Sequence, residues 1–396
     1  MGVRSPLPRF VAYYAALFAA FGAASPFLPG LLQESGLGSG ELGVVLASGT
    51  AVRLLTGPLG ARIADRTGRA PIVLSCLTAA AALIATAYAP ARGLFLLIAV
   101  SVAHAAVLAP LTPIADALTI QASGRGRVFR YGWVRGAGSA AFIAGTLAAG
   151  QMVGWAGLGV IVWLNAGLLA VAACFGWLLR GQAGPVASAP VVGQAGSIAE
   201  LLRVPVFVRM MAVAALIGGS HAMHDGFGVI RWRAAGLSPG ECSVLWSMSV
   251  AAEVGVFLSL GPWLLDRFGI RAAVLVAASA GIVRWATTAL TSSFAAMALV
   301  EPLHGLTFAL LHLACMEVIA GVVPGRIAAT AQAFYATVVM GLTGVLLTLV
   351  SGPLYGQFGA TSFWAMAGMC GLALPVARGL QSRAASDQLE SRRDAN

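Results

Sequence analysis

Apolar residues run along this chain in stretches of helical length, separated by short polar turns. About 20 apolar residues, rising ~1.5 Å each, cross the ~30 Å hydrocarbon layer of a bilayer. Twelve such runs stand out, at roughly 10–32, 42–61, 71–89, 94–120, 131–154, 158–179, 206–230, 242–264, 272–290, 294–320, 327–352 and 361–378. The pattern predicts an all-α integral membrane protein with twelve transmembrane helices in two six-helix bundles. The longest polar break, Arg180 to Arg203, is rich in Gly, Ala, Pro, Ser and Gln and divides the runs six and six, as an interdomain linker does. The expected organisation is an N-terminal bundle over 1–179, a cytoplasmic linker over 180–205, a C-terminal bundle over 206–378 and a disordered cytoplasmic tail over 379–396.

Composition supports the membrane reading and removes others. Of 396 residues 59% are hydrophobic and 10% charged, against ~25% charged in soluble domains. The net charge of +10 comes from arginine alone, since all 24 basic residues are Arg. No basic stripe with interleaved aromatics exists, so nucleic acid is not an expected partner. The arginines report topology instead. With the N-terminus in the cytoplasm, alternate loops hold Arg62, Arg66 and Arg69, then Arg125, Arg127 and Arg130, then Arg180 and Arg203, then Arg267 and Arg271, then Arg326; the opposite loops hold only Arg92, Arg231 and Arg233. That asymmetry predicts both termini on the cytoplasmic side of an inner membrane. The first run follows Arg4 and Arg9 but is too long for a signal-peptide core and lacks a convincing cleavage site, so it is kept as a helix. Cys76, Cys174, Cys242, Cys315 and Cys370 are far apart and form no CxxC, and they read as buried small apolar residues.

Charges inside apolar runs carry the candidate chemistry, because a lone charge there costs several kcal/mol and marks a functional site by default. Asp116 and Arg135 lie about ten residues either side of a basic turn, which in a helical hairpin places both at one depth, at most ~15 Å in. Glu253 and Arg284 are placed in the same way about the turn at Asp266–Arg271. Run 10 adds Glu301, His304, His312 and Glu317; run 2 holds Arg53; run 7 holds His221, His224 and Asp225. Arg53 reads equally well as a structural partner for helix 2. For His221 and His224, near the outer end of run 7, a structural role outweighs a gating one. Trp246, Trp285, Phe142 and Tyr335 are candidate pocket aromatics, although aromatics at helical spacing more often serve packing.

The halves repeat. Gly36–Glu41 recurs as Gly236–Glu241 at an offset of 200, and the stretch at 60–68 recurs at 261–269 at an offset of 201. His104 and His304 also stand 200 apart. The loop after run 2 reads Ala61-Arg-Ile-Ala-Asp65-Arg66-Thr-Gly68-Arg69 and resembles the G-x-L-A-D-R-x-G-R signature of the major facilitator superfamily, with Ala61 in place of the leading Gly and Ala70 in place of the last basic residue. The weaker second copy keeps Asp266, Arg267 and Gly269. The resemblance implies a cytoplasmic gate motif at Asp65, Arg66, Gly68, Arg69, Asp266, Arg267 and Gly269, and a parallel six-plus-six helix repeat.

Pro113-Ile-Ala-Asp116, Tyr131-Gly-Trp-Val-Arg135, Glu253, Arg284 and Leu303-His304 resemble, in order and spacing, the lactose permease-like symporters of that superfamily. The stretches at 131–142, 219–227, 246–254, 281–289 and 303–308 are similar, more nearly still, to the phenylpropionate permease group. The resemblance implies a mid-membrane site drawn from helices 1, 4, 5, 7, 8, 10 and 11, with Asp116 and Arg135 as substrate ligands. Phe142 and Trp246 are counted with them. It implies proton coupling through Glu253, with Arg284, His304 and Glu301 in the proton-handling network. His224, Asp225 and Arg53 are further candidates. Three positions depart from the lactose permease pattern: Thr307 replaces a carboxylate, Phe142 a Trp, and Glu301 a Lys.

The expected protein is a non-enzymatic, proton-coupled importer of a small organic solute working by alternating access, and the phenylpropionate permease resemblance implies an aromatic carboxylate. A sugar or nucleoside symporter is the alternative within this class. A proton-antiport exporter is disfavoured because the Gly-rich run 136–154 has no Pro. A transporter-shaped sensor without flux has no extra domain to support it. No cofactor or metal is expected, the coupling ion is the proton, the partners are substrate and lipid bilayer, and the family implies a monomer.

Overall fold

The computed structural model describes residues 5–124, 128–180 and 198–380, and among them every regular element is helical. Arg125, Arg127, most of the expected linker and the tail from 381 lie outside the described residues.

Twelve helical spans follow the twelve apolar runs. They are α1 (Leu7–Ala24), α2 (Ser39–Thr67), α3 (Ala70–Thr86), α4 (Leu94–Ala122), α5 (Tyr131–Ala156), α6 (Val160–Trp177) and α7 (Pro205–Ala234). The continuous stretch Pro239–Leu290 is bent at Gly269, where φ is 77°, into α8 before the bend and α9 after it. Phe294–Val322 forms α10, and Gly325–Arg378 divides at Gly359 into α11 and α12. The spans are helical because a bilayer core offers no water to backbone N–H and C=O groups, so each segment satisfies its own.

The repeat seen in the sequence returns as backbone geometry. Gly36 and Gly236 have φ of 98° and 94°, Gly68 and Gly269 have 61° and 77°, and Gly157 and Gly359 have 77° and 54°. L side chains rarely adopt such angles, so glycine punctuates corresponding turns. Helix starts repeat too. Glu41 Oε2 accepts from the Gly38 N–H at 2.9 Å, and Glu241 Oε2 accepts from the Ser238 N–H at 2.7 Å, each a carboxylate reaching back over the first turn.

Contacts group the described residues into two units. One comprises those of Met1–Val191 together with Gly236–Ser247, the other those of Val192–Ala235 and Met248–Asn396. The start of α8 joins the first unit because α5 has no side chain at Gly150, where a Cβ would meet Ser243 Oγ at 2.2 Å. In the first unit α1 lies against α5 at very short range. A Cβ on Gly22 would fall 2.0 Å from the Phe142 carbonyl oxygen, and one on Gly145 would fall 2.3 Å from that of Ala19. Small residues permit this approach, and Thr146 fixes it by donating to the Gly22 carbonyl at 2.9 Å, while Asn165 ties α6 to the same helix by donating to the Ala20 carbonyl at 2.8 Å.

Two of the five cysteines depart from expectation. Cys242, Cys315 and Cys370 are buried, but Cys76 and Cys174 are exposed. They sit on the outward faces of α3 and α6, where acyl chains rather than protein provide the apolar surroundings.

Candidate functional site

Each unit assembles a charged cluster, and the two are described in turn. In the first, the tight α1–α5 contact brings an aromatic ladder on α1 to the charged turn of α5. Gly138, one turn past Arg135, leaves room for the Phe18 ring, which a Cβ there would meet at 3.3 Å. Arg135 therefore lies over Phe18, its guanidinium carbon 5.0 Å from the ring centroid. Tyr14 stacks on Phe18 at 5.7 Å, and Phe21 meets Phe18 edge-on at 5.6 Å.

Asp116 and Arg135 do come together, at 3.8 Å between Oδ1 and Nη1. Asp116 has a closer partner: the Tyr14 hydroxyl donates to Oδ1 at 2.5 Å, and the Tyr131 hydroxyl lies near the same carboxylate. Thr119 in turn bonds the Tyr14 oxygen at 3.4 Å. Arg135 is half-open, with 39% of its side chain exposed; Nη1 is its buried end, 3.8 Å from Asp116 Oδ1 and without a hydrogen bond among the described residues. The arrangement leaves a part-exposed cation beside an aromatic surface. Phe142 is half-buried on α5 and Trp246 half-buried on α8. Tyr14, Phe18, Phe21 and Tyr131 were not among the sequence candidates; the spacing of Tyr14, Phe18 and Phe21 along one helix face was the available signal.

In the second unit, α10 is not a plain α-helix. Pro302 has no N–H to continue the ladder; the chain tightens to a 3-10 turn at Glu301–Leu303 and widens to a π-helix at Gly305–Leu310. α8 carries its own π turn at Val256–Leu260, and the two meet where Gly305, lacking a Cβ, approaches the Ala252 carbonyl. Such turns re-aim side chains and often mark functional sites.

Glu301 is fully buried. Its Oε2 accepts from Arg284 Nη2 at 2.7 Å and from the Ser249 hydroxyl at 2.6 Å, while Oε1 faces His224 Nε2 at 3.2 Å. The other end of Arg284, Nη1, donates to His304 Nδ1 at 3.1 Å, and His304 Nε2 faces Glu253 Oε2 at 3.4 Å. Arg284 also covers the Trp285 ring at 4.4 Å, and Trp285 Nε1–H donates to Ser220 Oγ at 2.8 Å. Glu253 and Arg284, expected at one depth, thus face each other across His304, and the direct carboxylate partner of Arg284 is Glu301.

The remaining candidates fall outside these clusters. Arg53 is exposed on α2. His104 packs edge-on against Tyr88 at 5.7 Å, far in character from its repeat partner His304. His312 Nδ1 is 3.2 Å from the Tyr335 hydroxyl, and Glu317 is half-buried. Asp65, Arg66, Gly68, Arg69, Asp266 and Arg267 are exposed at helix ends, with Gly269 buried at the bend. At the start of α11, Arg326 forms a two-pronged pair with Glu200 of the short helix Ile198–Leu201.

Membrane-spanning helices with a repeated plan and charges gathered inside each unit define a multi-pass membrane transporter rather than an enzyme. The chain belongs to the MFS_1 like family, which matches residues 8–366. It is 32% identical over 355 residues to the probable 3-phenylpropionic acid transporter of Escherichia coli (strain K12), covering 89% of this chain and 92% of that protein. It is 26% identical over 345 residues to the maltose permease of Geobacillus stearothermophilus, covering 87% and 86%. The crystal structure of the nucleoside transporter NupG superposes with a TM-score of 0.79 at 17% identity, over 96% of this chain and 98% of that one. The D-xylose-proton symporter does so with 0.68 at 14%, over 94% and 97%. The fold is that of the major facilitator superfamily, and the chain is a secondary transporter.

Proposed function

We propose that this transporter imports a small aromatic carboxylate together with protons, by alternating access. The observation that carries this reading is the half-open Arg135 guanidinium beside the Phe18, Tyr14 and Phe21 rings. A guanidinium fork matches a carboxylate, and a phenyl group gains from an edge or face of a neighbouring ring. Asp116, already bonded by Tyr14, positions Arg135 rather than gripping substrate itself. The similarity to the phenylpropionic acid transporter supports the same substrate class.

Proton coupling is assigned to Glu253, with His304 and Arg284 as the groups that sense its charge. Arg284 can only donate, so His304 Nδ1 accepts from it and His304 Nε2–H donates to Glu253. Loss or gain of the Glu253 proton is thereby felt at Arg284. No cofactor takes part. The proposed setting is an inner membrane, with both termini and the 180–205 linker cytoplasmic, bundles at 1–179 and 206–378, and a monomer as the working unit.

The test is uptake into proteoliposomes of 3-phenylpropionate, maltose and uridine, each with and without an inward proton gradient. Saturable, gradient-stimulated uptake of 3-phenylpropionate is expected. Preference for maltose or uridine would replace the substrate class, and stimulation by an outward gradient would make the protein an exporter.

A further inference from the structure

His224 lies on α7, 3% exposed, with an acidic group on each side of its ring. Nε2 is 3.2 Å from Glu301 Oε1 and Nδ1 is 3.7 Å from Asp225 Oδ1. Glu301 is ionised, because Arg284 and Ser249 both donate to its other oxygen. An ionised carboxylate only accepts, whereas a neutral imidazole carries one N–H and one lone pair. The Nε2–H tautomer satisfies Glu301 but leaves the Nδ1 lone pair 3.7 Å from Asp225 Oδ1, an ion-pair distance rather than a hydrogen bond. The imidazolium replaces that repulsion with attraction to both carboxylates.

The surroundings fit a cation. The rings of Trp232 and Trp285 lie 5.4 and 5.6 Å from the His224 ring, and indoles stabilise a cation at their faces. The charged and titratable groups around it are Asp225 and His221 on α7, Arg284 on α9, and Glu301 and His304 on α10. Glu301 offsets Arg284, which leaves Asp225 as the counter-charge for His224. His304 provides the internal contrast. Its Nδ1 faces Arg284 and must accept, so in the same network it is neutral.

We propose that His224 is a proton-binding site of its own, an imidazolium held between Asp225 and Glu301 and separate from Glu253. Asp225, with 63% of its side chain exposed, is the group through which this proton exchanges with water. Its role in the transport cycle rests on the proton-coupled reading above; its charge state does not.

The experiment is nitrogen-15 NMR of the full chain in lipid, labelled at its five histidines. Protonated and unprotonated ring nitrogens have well-separated shifts. At about pH 7, near the ordinary histidine pKa, one ring should show both nitrogens protonated, and the signal should vanish in His224→Gln. Asp225→Asn keeps the buried Glu301–Arg284 pair intact and should lower the titration midpoint of that ring by about one pH unit, the tenfold step of ~1.4 kcal/mol for a lost charge partner. Five neutral rings, an imidazolium that survives His224→Gln, or a midpoint unmoved by Asp225→Asn would each overturn the assignment. In proteoliposomes, Asp225→Asn should reduce gradient-driven uptake of 3-phenylpropionate and spare downhill exchange. A parent protein indifferent to the gradient would remove proton coupling, while the NMR result would still decide the state of His224.

Discussion

Arg135 in the first unit and Arg284 in the second each face a carboxylate and an aromatic ring, yet their surroundings differ. Arg135 stands 3.8 Å from Asp116, over Phe18, with 39% of its side chain exposed. Arg284 stands 2.7 Å from Glu301, over Trp285, with 1% exposed. The open pair leaves part of its guanidinium exposed to an incoming anion. The closed pair turns Nη2 to Glu301 and Nη1 to His304 and has no exposed face. Position within a membrane span therefore does not decide the role of a charge; its exposure does.

Four experiments test this contrast. The largest effect is expected at the proton end of the closed cluster. Glu253→Gln imitates a permanently protonated carboxyl, so uphill uptake driven by a proton gradient should disappear while substrate counterflow survives. Because Arg284 keeps Glu301, this variant should remain well folded. Uphill uptake that persists in the same vesicles would move coupling to another group.

Next in size is the stability of the closed pair. Arg284→Met strands the Glu301 carboxylate and should cost roughly 3–5 kcal/mol, visible as a lowered unfolding midpoint, and adding Glu301→Leu should restore much of it. Arg135→Met, at an open and widely spaced pair, should change stability by no more than about 1 kcal/mol. Equal losses at the two arginines would erase the distinction drawn here.

The open pair is tested by affinity instead. Arg135→Lys keeps the charge and loses the planar fork, so 3-phenylpropionate binding should weaken tenfold or more, ~1.4 kcal/mol. Binding equal to the parent would make Arg135 and Asp116 a structural pair. The smallest effect is expected at the aromatic surface: Phe18→Leu should weaken binding by ~0.5–1.5 kcal/mol. Cyclohexylpropionate, which lacks the π-system, should lose less, and an equal loss for both would assign Phe18 to packing.

The number and type of spans were legible along the chain, since lipid forces each backbone segment to satisfy its own hydrogen bonds and hydropathy reports the result. So were the duplicated plan, which Gly36 and Gly236, Gly68 and Gly269 mark at the turns, and the set of charges placed inside the spans. Depth could be counted from a turn, which is why Asp116 and Arg135 were expected to meet and do. Depth is only one coordinate. Which way a side chain points around its helix depends on about 100° of rotation per residue, and Pro302 with the following π turn resets that angle in α10. For that reason it took the packed helices to reveal that His304 stands between Arg284 and Glu253, that Glu301 rather than Glu253 neutralises Arg284, and that His224 meets two carboxylates. The same holds for Phe18, whose place beneath Arg135 depends on how closely Gly22, Gly138 and Gly145 let α1 and α5 approach, a distance that no spacing along the chain records.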